Sequence, residues 1–241
     1  MMRLRVDVLP RSSQDLGFQP FADTVLVVDT LRATTTAITY LEQGADNLYL
    51  CSDLETALAF RADGIVLAGE RNCLPPDGFD LGNSPVEAAN RRFDKQTIVM
   101  STTNGTVAAA AACDTGKTII LASLRNAHAA ARKAKELATE EIAVLCAGSN
   151  GRIGLEDVYT AGVLCEYLIS MGECSLDDGA QIALTVRRQF ADPLEPLSKS
   201  RAAEIITNVG LEADIMYAAE VSRSTIVPIF SGRSGNALIF K

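Results

Sequence analysis

The sequence predicts an α/β fold: a three-layer α/β/α arrangement with a largely parallel sheet, followed by a C-terminal helical segment and a short terminal hairpin. Three observations lead there. Short β-branched runs alternate with helix-length stretches from residue 3 to residue 171, the rhythm of a parallel sheet covered on both faces. Glycines stand just past the ends of helical stretches, where a left-handed residue closes a helix. Beyond Met171 the alternation gives way to amphipathic helical patterns.

Strands are expected over residues 3–9, 24–28, 47–51, 65–68, 97–100, 118–122 and 142–146. The stretch 31–43 reads as a helix stopped by Gly44, and 54–63 as one stopped by Gly64. Ser84-Pro85-Val86-Glu87 is a capping box with proline at the first helical position, starting a helix that runs to about residue 93. The alanine run 108–112 is helix filler, and 125–139 and 155–171 are the next helices. Residues 176–190 and 197–209 read as amphipathic helices, and 226–230 and 237–240 as β-like runs separated by Gly232 and Gly235. The change of pattern divides residues 1–171, which carry most of the site, from a helical and hairpin portion, 172–241, that reads equally as part of the same domain. Its best break point is Asp192-Pro193-Leu194-Glu195-Pro196.

With 241 residues and 48% hydrophobic content, the chain can bury a substantial core. A net charge of -8 without a lysine and arginine cluster argues against nucleic acid and acidic membrane partners. No uncharged apolar run approaches the roughly 18 residues of a membrane span, and charges interrupt the N-terminal stretch, so a cytoplasmic location is expected. The six cysteines lie far apart without a C-x-x-C pair and read as free thiols. In so acidic a chain, an anionic ligand must find positive potential locally, from an arginine, helix N-termini or a metal ion.

Nearly every polar or glycine-rich cluster directly follows a predicted strand: Asp29 to Thr36, Gly69-Glu70-Arg71, Ser101 to Thr106, Ser123 to Asn126, and Gly148 to Gly151. In an open parallel sheet these carboxyl ends share one edge, where ligands bind. Asp29 is placed either as a hard-cation ligand or as the N-cap of the following helix. Arg32 is placed to pair with Asp29 or to fork onto a phosphate, with a solvated surface charge as the plainer reading. Ser101-Thr102-Thr103-Asn104-Gly105-Thr106 offers more small and hydroxyl residues than one helix cap requires, which favours anion binding. Glu156-Asp157 adds carboxylates in a first helical turn, where the helix dipole alone also stabilises them.

Several standard signatures fail. Asp29-Thr30-Leu31 lacks the second aspartate of a haloacid-dehalogenase-type phosphatase, and Gly116-Lys117-Thr118 lacks the upstream P-loop glycine because position 111 is alanine. His128 is the single histidine, which excludes a histidine metal cluster.

In order, Val27 to Thr36, Gly69-Glu70-Arg71, Gly82-Asn83-Ser84-Pro85, Ser101 to Thr106, Cys146-Ala147-Gly148 and Glu156-Asp157 resemble the motif series of the 2-phosphosulfolactate phosphatase family. The resemblance runs from about residue 25 to the Val227-Pro228 region. It implies an α/β protein with a cleft site, Mg2+ dependence, and hydrolysis of 2-phosphosulfolactate to sulfolactate in a coenzyme M type pathway. It further implies catalytic roles for Asp29, Arg32 and Asp157, with Mg2+ held by Asp29 and helped by Glu70 or Asp157. Substrate contacts are then expected from Asn83, Ser101, Thr102, Thr103, Asn104, Gly105, Thr106, Arg125, Asn126 and Gly148. One departure is Arg125, where the family pattern has an aromatic or aliphatic residue before the asparagine; it marks a different substrate, so the resemblance fixes the reaction better than the compound. The expected partner is a small phosphate substrate, with no nucleic acid or membrane and a homo-oligomer left open. The alternative is a noncatalytic anion- or nucleotide-binding module on the same crevice.

Overall fold

Residues 24–28 are buried at all five positions and residues 141–146 at all six. Such runs are stable only where both faces are covered, which puts them at the centre of a sheet. The computed structural model describes residues 1–9 and 19–241. In chain order its elements are β1 (Met2–Asp7), β2 (Thr24–Val28), α1 (Ala33–Glu42), β3 (Asn47–Leu50), α2 (Leu54–Leu58), β4 (Ile65–Gly69) and α3 (Pro85–Ala89). There follow β5 (Thr97–Ser101), α4 (Gly105–Thr115), β6 (Thr118–Ala122), a 3-10 turn at Leu124–Asn126, α5 (Ala127–Leu137), β7 (Glu141–Cys146) and α6 (Leu155–Ser170). The chain continues through β8 (Cys174–Leu176), α7 (Asp178–Gln189), α8 (Leu194–Ser198), α9 (Arg201–Asn208) and α10 (Ala213–Ala218) to a hairpin, β9 (Phe230–Ser234) and β10 (Ala237–Phe240).

The α/β class and the terminal hairpin agree with the sequence reading, and the strands divide into two five-stranded sheets. One is wholly parallel, in the order β6-β2-β7-β1-β8. The other runs β4-β5-β3-β10-β9, parallel from β4 to β3 and antiparallel from β3 through β10 to β9. Alternation along β2 shows how the layers are built. Leu26 and Val28 join one core with helices α5, α6 and α7, while Val25 and Val27 join another with α1 and α4. This completes α/β/α around the parallel sheet. The second sheet adds Leu48, Ile98, Met100 and Phe240 to the core of α1 and α4, and its opposite face packs on Ala57 of α2.

Local chemistry moves several element ends from their expected places. The helix expected from residue 31 begins at Ala33, whose N–H is capped by Asp29 Oδ1 at 3.0 Å. The expected helix 176–190 starts as strand β8, because Asp177 caps α7 through the Ala180 N–H at 2.7 Å. Ser200 splits the expected helix 197–209 by capping α9 through the Ala203 N–H at 3.0 Å. The β-like run 226–230 contributes only its last residue, the strand instead extending to Ser234.

The hairpin is part of the core. Phe240 is fully buried, with its ring 5.8 Å from that of Phe230. Phe240→Ala is therefore expected to cost about 3–5 kcal/mol, measured as a fall in the urea midpoint; a loss below about 1 kcal/mol would contradict this packing.

Candidate active site

The carboxyl ends of β2 and β7 in one sheet and of β4 and β5 in the other open on a single pocket of about 160 Å3. Asp29 and Arg32 line it after β2, Glu70 and Cys73 after β4, Thr102 to Asn104 after β5, and Ser149 and Asn150 after β7. Asn83 forms another part of the wall, and Ala202, Ile205 and Ile206 of α9 form an apolar side. Four of the five strand-end clusters thus meet. The fifth, after β6, is drawn elsewhere.

Asp29 divides its carboxylate between two tasks. Oδ1 caps α1 through the Ala33 N–H, and Oδ2 lies against Gly105, where a Cβ would come within 2.7 Å of it. Only glycine at position 105 lets helix α4 start so close to this carboxylate. Burial pushes the Asp29 pKa up to about 7, and the charges of Glu70 and Glu156 push in the same direction against the Ala33 N–H and Arg32. Asp29 is thus not the N-cap of α1, a position held by Arg32, yet it accepts the first helical N–H and also lines the pocket.

Arg32 is buried beside it and follows a cis peptide at Leu31–Arg32. Its Nη1 donates to Asp214 Oδ2 at 2.7 Å and its Nη2 to the Cys73 carbonyl at 3.2 Å. The solvated reading of this arginine is therefore replaced by a buried ion pair. Glu70 fastens two loops: Oε1 accepts the N–H and hydroxyl of Thr103 at 2.8 and 2.9 Å, and Oε2 accepts the Cys73 N–H at 3.1 Å.

The loop from Ser101 to Thr106 is self-capped. Thr102 Oγ1 accepts the Thr106 N–H, the Thr106 hydroxyl donates to the Thr102 carbonyl at 2.8 Å, and Asn104 Oδ1 accepts the Asn150 N–H at 3.1 Å. Ser101 is buried behind it, its hydroxyl bound by Arg71 and its carbonyl so close to Gly69 that a Cβ there would lie 2.1 Å away. The N-termini of α1 and α4 both start at the pocket, a source of partial positive charge for an anion.

The remaining predicted residues sit outside the pocket wall. Asp157 lies buried beneath it with both oxygens occupied, Oδ1 by the Thr30 N–H at 2.8 Å and Oδ2 by the Gly148 N–H at 2.9 Å. Burial, then the charges of Glu156 and Asp29, hold its pKa well above the usual carboxylate range. Asp157 and Gly148 thereby tie the β7 loop to β2. Arg125 is held by Glu42 and Glu220, each at 2.7 Å, and lies 4.2 Å over the Tyr217 ring, away from the ligand space. Asn126 closes a capping box with Ser123 and donates to the Leu121 and Ile226 carbonyls. These two residues follow a strand as the others do, but distant acidic and carbonyl groups claim them.

Several features of the pocket escape sequence reasoning. Asp214 comes from 182 residues away, and the α9 wall carries no polar signature. Glu156 has a buried Oε2 without a hydrogen-bond partner, and so does Asn83 Oδ1. Among the described residues, no three histidine, cysteine or acidic side chains stand grouped as a ready-made metal cage. The buried thiol of Cys146, pushed up by desolvation, is not part of the lining.

Fold and pocket define the class: an α/β protein whose strand-end pocket presents helix N-termini, an arginine and buried carboxylates together. The profile of the 2-phosphosulpholactate phosphatase family matches residues 12–233. A Thermus thermophilus protein named "Probable 2-phosphosulfolactate phosphatase" is 57% identical over 240 residues, covering 100% of this chain and 99% of that protein. A Deinococcus radiodurans protein of the same name is 51% identical over 229 residues, covering 94% and 92%. One from Thermotoga petrophila, likewise named, is 36% identical over 206 residues, covering 85% and 88%. This chain belongs to the 2-phosphosulpholactate phosphatase family, and its enzyme class is that of the phosphoric monoester hydrolases.

The raised pKa of Asp29 has a consequence for metal-free protein. Between about pH 4 and pH 7 the folded state keeps a proton that the unfolded state has lost, so stability falls as pH rises through that window. Asp29→Asn keeps the cap and removes the charge. In chelator it is expected to melt roughly 5 °C or more above the wild type at pH 8, with the gap closing near pH 4. Thermal melts that show no pH-dependent gap would contradict the assignment of a buried, charge-strained Asp29.

Proposed function

We propose that this chain is a Mg2+-dependent phosphatase that hydrolyses 2-phosphosulfolactate to sulfolactate and phosphate, as part of a coenzyme M type pathway. The observation that carries the reading is the meeting of Asp29, Arg32 and the N-termini of α1 and α4 in one pocket. The names of the relatives point to the same substrate.

The donor chemistry of the pocket fits Mg2+. That ion takes oxygen ligands and is usually held by one or two carboxylates together with substrate phosphate and water, so no closed protein cage is needed. Asp29 Oδ2 with Glu70 would hold it. Burial raises the pKa of Asp29, and the charges of Glu70 and Glu156 add to it, so a cation beside it would be favoured. Asp157, each of whose oxygens accepts one backbone N–H, supports these residues from below. When bound, Mg2+ supplies a Lewis acid for a phosphoryl oxygen and offsets charge in the transition state.

The chain itself binds and orients. Arg32 meets the phosphoryl group from the pocket wall, and the α4 N-terminus with Thr102 and Thr103 receives a further anionic group. Asn83 and the Ser149-Asn150 loop face the rest of the molecule. Hydrolysis places a water oxygen on phosphorus, breaks the ester P–O bond and delivers a proton to the departing alkoxide. Positioning and charge neutralisation provide most of the acceleration in such a reaction.

The test is phosphate release from 2-phosphosulfolactate and from a panel of small organic phosphates, with Mg2+ or with excess chelator. Turnover is expected only with the metal, and Asp29→Asn should lower it by about 100-fold or more while remaining folded. Full turnover in chelator would rule out the metal, and phosphate binding without turnover on any substrate would favour a noncatalytic anion-binding module.

A further inference from the structure

Arg32 is a long side chain that must present its guanidinium at one place in a small pocket. Left free, its flexible stem would sample many rotamers. Here it is fixed from outside the pocket. Asp214 of α10 receives its Nη1 at 2.7 Å, and both side chains are only 2% exposed. Asp214 is itself pinned, its Oδ1 accepting the Ser84 hydroxyl at 2.6 Å and the Val86 N–H at 3.4 Å. Ser84 also caps α3 through the Glu87 N–H at 3.1 Å. The guanidinium is thus held between α10, the start of α3 and the Cys73 carbonyl. A buried ion pair is weak evidence of stabilisation, because an apolar pair of similar volume often serves as well. Arg32 lines the pocket and Asp214 does not.

We infer that Asp214 is a positioning residue for ligand binding: from outside the pocket, α10 aims Arg32 at an anionic group of the ligand. The inference rests on the phosphatase reading only in taking Arg32 as an anion contact. It adds that the anion affinity of the pocket is set by a carboxylate that never touches the ligand.

The test is a double-mutant cycle on the full chain, reading the affinity for inorganic phosphate by calorimetry with Mg2+ present, alongside thermal melts. Asp214→Asn is expected to weaken phosphate by about tenfold in the wild-type background. In an Arg32→Gln background the same change should have less than about a twofold effect, because the group it acts through is gone. Ser84→Ala, which loosens Asp214 without leaving Arg32 unpaired, should weaken phosphate by about threefold, and it decides the matter if Asp214→Asn does not fold. Equal weakening in both backgrounds, or unchanged affinity in a folded Asp214→Asn or Ser84→Ala variant, overturns the inference. A wild type that binds phosphate and obeys the cycle but hydrolyses no phosphate ester would sink the phosphatase reading alone. A wild type with no affinity for phosphate would remove both.

Discussion

The structure around the pocket depends on one electrostatic constraint: the burial of acidic groups at the end of β2. Asp29, Glu156 and Asp157 are all buried and all held above their usual pKa, with desolvation as the first cause in each. Glu70 adds its charge at the pocket wall. Burying like charges together is costly unless each is hydrogen-bonded or offset by a cation. Asp157 meets the requirement with two backbone N–H donors, and Asp29 meets half of it with the α1 cap. Arg32 offsets Asp29 in part while paired with Asp214. The shortfall of positive charge is the physical argument for a divalent cation in a chain whose overall field repels its proposed substrate.

The two sheets explain why these groups meet. Each supplies two adjacent strands whose carboxyl ends open on the pocket, β2 and β7 on one side and β4 and β5 on the other. Helices α1 and α4 pack in one core with both sheets, so their N-termini come to the same place. The segment after Met171 then closes the arrangement through α9, which forms the apolar wall, and α10, which holds Arg32.

Much of this was legible in local chemistry. Ser84 does cap α3 with Pro85 in the first turn, and Gly44 has the positive φ that a helix end favours, whereas α2 stops at Leu58, short of the expected stop at Gly64. The strand-end clusters marked the pocket because each combines an apolar run with residues that a core would exclude. Other features were decided by groups far apart in the chain. Nothing near Arg125 in sequence shows that Glu42 and Glu220 will capture it, and nothing near Arg32 indicates Asp214. The division into two sheets was hidden for a related reason: β10 joins β3 across almost the whole chain, an antiparallel pairing that strand–helix alternation does not encode. The hold on Asp157 depends on backbone N–H groups at Thr30 and Gly148, which carry no residue signature at all.

On the proposed function, metal and phosphate meet at Asp29. A crystal structure of the chain with Mn2+ and inorganic phosphate, located by the anomalous signal of manganese, tests it most directly. One strong peak is expected against Asp29 Oδ2, with phosphate between it, Arg32 and the start of α4. A peak at a different carboxylate, with Asp29 unoccupied, would contradict it.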